Sequence, residues 1–578
     1  MPDWFYRTAA QRVLFCFPDE PSRGVALGLI GFLGRNAAGR AVIDFMGHMA
    51  PEPALAVRVA GVEFPSPVGL GWRVDPEQRA TCGLMCFGVG CIEVRTGPGQ
   101  RVRRGRSDEL QDGEMIAACS DSTQGKCGLT PVLRRQRDAS GRETILLPNG
   151  VELPVVAWDA VASAADVCSK GVLLQVGEQI SVGRWVVPVS MPASLPEVVR
   201  DWRKKLPEGA AVIVSGGVGN PGDAVALINA GASLLLVDAG MVFRGPGLIK
   251  RCNEALSLRL TLPSDARCDA GFFRRAWFWA SALGVAMILG GGLTIALALT
   301  RVLLPYDEHY LGLTADALRR NSPRLFAFMA HDRGTLAGTM LGLGWLYLVL
   351  AWHGVRRARH GAKTAVIASA LAGFASFFSF FGFGYFDTLH AFVAVVLFQL
   401  TVQIMVGEEG GAPRLAGLVD EENAARRRAL WGQLMWIVHS IGLLIAGCVI
   451  LGIGMTSVFV GEDLQFLCLT EPQAKDLGAR LIAVVAHDRA TLGGMLLASG
   501  VAMLLPVLWC FRRGERWLWW AMAGLGAPAY GIAIGVHFMV GYTDWRHMVP
   551  AFVGLGLWLG GLWLARTYLR GEADAAAE

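Results

Sequence analysis

The chain has 578 residues, 53% of them hydrophobic, with mean hydropathy +0.41 and a formal net charge of +5. That composition excludes an all-soluble globular protein, and the length allows two domains. The small positive excess sits in short Arg clusters between apolar runs, which excludes a nucleic-acid-binding face.

Residues 1–50 hold two apolar stripes, Phe5–Phe17 and Val25–Leu33, each too short to span a bilayer. They are predicted to be amphipathic helices lying on a membrane. No charged-apolar-small cleavage pattern marks a signal peptide. Cys82, Cys86 and Cys91 lack paired CxxC spacing and read as small buried hydrophobes; no metal is expected there.

Residues 51–265 alternate strand-like and helix-like segments. "SPVGLGW" and "CIEVRT" read as buried strands with a helical stretch near Pro76–Phe87 between them. "AAVIVSGG", "NPGDAVALINAG", "SLLLVDAG" and "GPGLIKRCNEAL" then read as strand, helix, strand and helix. Gly immediately after strands in β-α-β-α order predicts a (β/α)8 barrel. Gly216, Gly217, Ala239 and Gly240 fall after the last two strands, where main-chain N–H groups of such barrels hold a phosphate. Gly97–Pro188 shows no pattern that fixes its strands.

"FPSPVGLGWRVDPEQRA", "GVGCIEVRTGPGQ" and "VIVSGGVGNPGDAVALINAGASLLLVDAGMVFRGPGLIKRCNEAL" resemble the membrane-associated, quinone-reducing class of dihydroorotate dehydrogenase. The resemblance covers about Trp4–Arg106 and Pro192–Leu256. It implies an FMN-type barrel with a quinone entry formed by the N-terminal helices. It places the FMN phosphate on Gly216, Gly217, Ala239 and Gly240, and the ring near Gly71 and Thr96. Arg73 and Arg95 become candidates for an anionic substrate. The chain departs from the family pattern at Trp72-Arg73-Val74-Asp75, which lacks the expected Lys, and at Arg95, where Gly is usual. No loop supplies the Ser base that proton removal from dihydroorotate requires.

The second half, 276–568, holds eight apolar stretches near 276–303, 334–355, 364–383, 388–406, 433–460, 490–511, 517–541 and 547–568. Each is long enough to cross about 30 Å of hydrocarbon. Arg274, Arg275, Arg356, Arg357, Arg426–Arg428, Arg512, Arg513 and Arg570 all fall on one side of such a bundle. The positive-inside rule makes that side, the first domain and both termini cytoplasmic. "AHDRGTLAG" at Ala330–Gly338 returns as "AHDRATLGG" at Ala486–Gly494, and "GYFDTLH" at Gly384 returns as "GYTDWRH" at Gly541. The half is therefore an all-α membrane domain of eight transmembrane helices built as a duplicated four-helix unit, 276–406 and 433–568. The segment 407–432 reads as a cytoplasmic linker and 569–578 as a tail.

His331, Asp332, Arg333, Asp387 and His390 are predicted to gather at the outer mouths of the first unit. His487, Asp488, Arg489, Asp544 and His547 do the same in the second. Such groups need pairing or water at that depth. Structural pairing and helix capping are one reading. A metal or haem between His331 and His390, and between His487 and His547, is another, and a quinone-, lipid- or proton-handling site a third. At the level of the whole chain, the leading expectation is a membrane-bound FMN oxidoreductase passing electrons to quinone. The alternative is a catalytically degenerate flavin- or nucleotide-binding barrel regulating a membrane transporter or lipid/redox protein.

Overall fold

The computed structural model describes residues 3–47, 49–95, 130–137, 142–159, 170–177, 190–260, 271–359, 361–379, 385–409 and 419–572. The chain divides into two compact units, Met1–Pro263 with Gly417–Leu430, and Ser264–Ala416 with Trp431–Glu578. Part of the expected linker thus belongs to the first unit.

In the first unit, helices α1 (Asp19–Gly34) and α2 (Ala37–Gly47) precede a hairpin, β1 (Val57–Val59) and β2 (Val62–Phe64). Val25, Leu29 and Phe32 recur at helical spacing along α1 and are exposed. Eight strands then close a barrel: β3 (Val68–Leu70), β4 (Ile92–Arg95), β5 (Val132–Arg137), β6 (Glu143–Leu146), β7 (Glu152–Ala157), β8 (Gly171–Gln175), β9 (Ala211–Ser215) and β10 (Leu234–Val237). Helices α3 (Leu195–Lys205), α4 (Pro221–Asn229) and α5 (Leu248–Leu260) belong to the same unit.

The closed eight-stranded barrel corrects the (β/α)8 expectation in one respect. β6 runs antiparallel to both β5 and β7, while every other neighbouring pair is parallel. The turn from β6 to β7, with Asn149 and Gly150, is too short to hold a crossover helix, so these strands form a meander.

The period of two along each strand sorts side chains between two cores. Leu133, Ile145, Leu153, Leu173, Ile213, Leu234 and Leu236 point inward with Phe64 of the hairpin. Val68, Leu70, Ile92, Val172, Val212, Val214, Leu235 and Val237 point outward into the core that includes α3, α4 and α5 residues.

A buried ion cluster ties the chain start to this unit. Asp3 meets Arg426 at 2.8 Å and Arg251 at 3.5 Å, and Glu422 meets Arg7 at 2.6 Å and Arg426 at 3.1 Å. Burial alone would raise the Asp3 and Glu422 carboxyls; the surrounding guanidinium groups outweigh it and hold both below their ordinary values.

The second unit is helical: α6 (Ala276–Thr300), α7 (Pro323–Val349), α8 (Ala362–Ser379), α9 (Thr388–Val406), α10 (Ala424–Met455, in this unit from Trp431), α11 (Ala479–Trp509), α12 (Arg516–Val540) and α13 (Trp545–Arg570). Among the described residues, seven helices are long and apolar enough to cross a membrane. The remaining expected span, 364–383, falls on α8, whose apolar stretch is shorter, and partly outside the described residues. Gly284 faces Gly344, and Gly447 faces Gly493, letting helix backbones approach closely, as is common in membrane bundles.

Candidate functional site

In the barrel, continuing the alternation by one step above Cys91, Leu133, Leu173, Ile213 and Leu236 brings Glu93, Arg135, Gln175, Ser215 and Asp238 inward at the carboxyl ends of the parallel strands. Glu143 joins them because β6 runs the other way. Glu93 and Arg135 are buried and 3.2 Å apart. Arg135 also donates to Glu143 at 2.5 Å and to Gln175 at 2.6 Å. The Trp72 N–H reaches Glu93 at 3.3 Å, and the Arg95 guanidinium lies 4.7 Å from the Trp72 ring centre. Burial pushes the Glu93 carboxyl up, and Arg135 only partly offsets this. Burial also raises Glu143, but its bonds to Arg135 and Arg137 win and its carboxyl is lowered.

The two glycine turns expected to hold a phosphate adjoin at this rim. A side-chain carbon on Gly240 would collide with the Val218 carbonyl, so the turn after β10 touches the turn after β9. Gly216 and Gly217 have φ of +86° and +77°, a conformation that favours glycine. The requirement for glycine thus comes from these backbone contacts and angles, with Leu195 and Val176 packed beside Gly217. Gly71 is held small by the Asp238 carboxylate, which also accepts from Ser215 at 3.3 Å. Arg73 lies beside Trp72, 5.9 Å from the ring centre. Thr96 lies outside the described residues. Glu93, Arg135 and Asp238 were missed from sequence, although charges at inward positions of buried strands signalled them.

In the helical unit the two His-Asp-Arg triplets lie inside α7 and α11, buried, and not at the helix mouths. Each helix starts earlier than expected because its charges are satisfied from the other repeat. Arg333 Nε binds Asp488 at 2.8 Å, and Arg489 meets Asp332 at 3.5 Å. Arg333 also meets Asp307 at 3.3 Å, and Arg489 meets Asp463 at 2.7 Å. Asp307 accepts from Tyr385, as Asp463 accepts from Tyr542 at 2.7 Å. Each Arg also donates to a carbonyl, Val302 or Val458, whose φ values of +60° and +64° are uncommon for a β-branched residue. Asp387 and Asp544 cap the starts of α9 and α13. The Asp and Arg groups therefore do structural work, largely across the repeat.

The histidines also pair across the repeat, correcting the expected pairs within each unit. His390 Nδ1 lies 2.9 Å from His487 Nε2, with Asp387 beside them. His331 Nε2 lies 2.9 Å from His537 Nε2, and the His547 ring centre is 5.7 Å from that of His331. His537 was not anticipated: the first repeat has Phe380 at the matching place, so duplication did not mark it.

The Asp387–His390–His487 group ends a cavity of about 200 Å³ whose walls are mostly apolar, including Leu283, Met287, Leu343, Phe374, Val393 and Leu397. Arg333 and Asp488 share its polar end.

No family model matches the chain. Its N-terminal part is similar to quinone dihydroorotate dehydrogenases. One, from Flavobacterium lutescens, is 24% identical over 344 residues, covering 44% of this chain and 96% of the relative. Higher identities span less. The enzyme of Stenotrophomonas maltophilia (strain K279a) is 42% identical over 12% of this chain and 19% of its own length. That of Pseudomonas aeruginosa (strain UCBPP-PA14) is 39% identical over 15% and 24%. The chain thus spans nearly all of the first relative and less than a quarter of the other two. The crystal structure of a ligand-free dihydroorotate dehydrogenase from Eimeria tenella covers 38% of this chain and 92% of its own, at 15% identity and a TM-score of 0.22, too low to carry an argument.

Proposed function

We propose that the chain is a membrane-bound flavin oxidoreductase that passes electrons to a quinone. The observation that carries this reading is the pair of adjoining glycine turns at the carboxyl rim of a closed barrel, in a segment similar to quinone dihydroorotate dehydrogenases. That arrangement fits the phosphate end of FMN, which the main chain of Gly217, Ala239 and Gly240 would hold, with Gly71 and Thr96 towards the ring; the Gly216 N–H is already donated to the Leu236 carbonyl at 2.8 Å. When bound, FMN supplies the redox chemistry.

The chain's own residues reshape the substrate side. Arg135 bridges Glu93 and Glu143 above the apolar barrel interior, with the Trp72 ring beside it. Arg73 and Arg95 beside that indole offer guanidinium groups to an anionic substrate.

Quinone would enter the cavity of the helical unit. Its apolar walls suit an isoprenoid tail, and the end lined by Asp387, His390 and His487 suits the polar head of the quinone. The exposed apolar stripe of α1 supports membrane contact by the first unit as well. The Arg clusters support a cytoplasmic side for that unit and both termini.

The test is reoxidation of the photoreduced chain by decylubiquinone in detergent. Val393→Trp fills the cavity one turn beyond His390. It is expected to slow reoxidation at least about tenfold while leaving flavin content unchanged, as loss of one well-packed site implies. An undiminished rate in this variant would remove the quinone from that cavity.

A further inference from the structure

We propose that His331, His537 and His547 bind one first-row transition-metal ion, with a fourth position open to water or a substrate oxygen. The proposal stands independently of the flavin.

It rests on where the imidazole protons sit. His331 Nδ1 is 3.0 Å from Asp332 Oδ1, and His537 Nδ1 is 2.6 Å from the Ala533 carbonyl. A carboxylate and a carbonyl only accept, so each Nδ1 carries a hydrogen. In the neutral rings both Nε2 atoms are then bare lone pairs, yet they face each other at 2.9 Å. Two acceptors that close repel unless a cation lies between them. A metal-ligating histidine typically donates its other N–H to a carboxylate or backbone carbonyl, and these two do so.

A shared proton would satisfy two rings; the third ring favours a metal. A ligand nitrogen of His547 lies within 4.8 Å of both others. Ligand nitrogens around a tetrahedral ion at about 2.0–2.1 Å stand roughly 3.3 Å apart, so small movements complete the set. Tyr542 stacks on His547 with ring centres 4.3 Å apart, and its hydroxyl is fixed on Asp463. Three neutral imidazoles with no thiolate suit zinc, copper or iron.

The sister group makes the contrast. At His390 and His487, Nδ1 of one ring faces Nε2 of the other, so an ordinary N–H···N bond joins them. Asp387 there already accepts from Tyr306 at 2.8 Å and from the His390 main chain. The third imidazole belongs to the second repeat alone.

The experiment uses the full chain in detergent, stripped with a chelator and titrated with Co(II). One Co(II) per chain is expected, with the strong visible bands of a four-coordinate ion. His537→Gln and His547→Gln should each weaken binding at least about tenfold, whereas His353→Gln, outside the trio, should leave it unchanged. Should a variant fail to fold, X-ray absorption of the Co(II)-loaded wild-type chain decides, with three imidazoles expected on the metal. Absence of stoichiometric Co(II), fewer than three imidazoles, or a loss of binding only on changing His390 would overturn the proposal.

Discussion

Arg333→Met is expected to cost the helical unit about 3–5 kcal/mol, the usual penalty for removing one partner of a buried ion pair. Arg333 is 9% exposed at its side chain and faces two carboxylates, Asp488 and Asp307, which would be left without their cation. Arg489→Met should cost a similar amount, because Asp463, Asp332 and the Val458 carbonyl surround it in the same way. Arg274 supplies the comparison. It meets Glu408 at 2.6 Å but is 75% exposed, so Arg274→Met should cost no more than about 1 kcal/mol. Adding Asp488→Asn to Arg333→Met should recover part of the loss. Thermal unfolding of the full chain in detergent checks the series. An Arg333→Met midpoint equal to that of Arg274→Met would dismiss the buried pairs of Arg333 as a source of that stability.

Arg135→Met should destabilise the barrel by a comparable 3–5 kcal/mol, since it leaves Glu93 buried without its guanidinium partner. Its pH dependence separates charge from packing. The Glu93 carboxyl is already raised by burial above its ordinary 4.5, so the folded barrel favours the protonated form. A raised carboxyl contributes stability below its unfolded value and loses that contribution as pH climbs through the folded one. Without Arg135 the folded value moves higher still. The loss in Arg135→Met should therefore be greater at pH 8 than at pH 5, and Glu93→Gln/Arg135→Met should recover much of it. A loss independent of pH in denaturant titrations would assign the effect to packing alone.

Sequence reading succeeded where burial was complete. "AVIV" and "LLLV" are uninterrupted apolar runs with glycine within three residues after them, and they lie in β9 and β10. It failed at "VLRRQR" and "ETIL", where inward Arg135 and Glu143 break the apolar alternation and the strands form a meander. The internal repeat marked the triplets at His331 and His487, because duplication repeats what each unit needs. An alignment of repeats shows which residues are equivalent and not which are neighbours, so the crossing of Arg333 to Asp488 stayed hidden. The same crossing explains why α7 and α11 begin before their charges: a span was expected to start after Arg333 because an unpaired charge is costly in hydrocarbon. His537 carried no repeat signal at all.

The most direct test is the absorbance spectrum of the full chain purified in detergent from cells supplied with riboflavin. The proposed function requires the two visible bands of an oxidised flavin, with about one FMN released per chain on denaturation, the stoichiometry of a single barrel site. A colourless protein that also takes up no added FMN would contradict it, and the adjoining turns at Gly217 and Gly240 would then be packing alone.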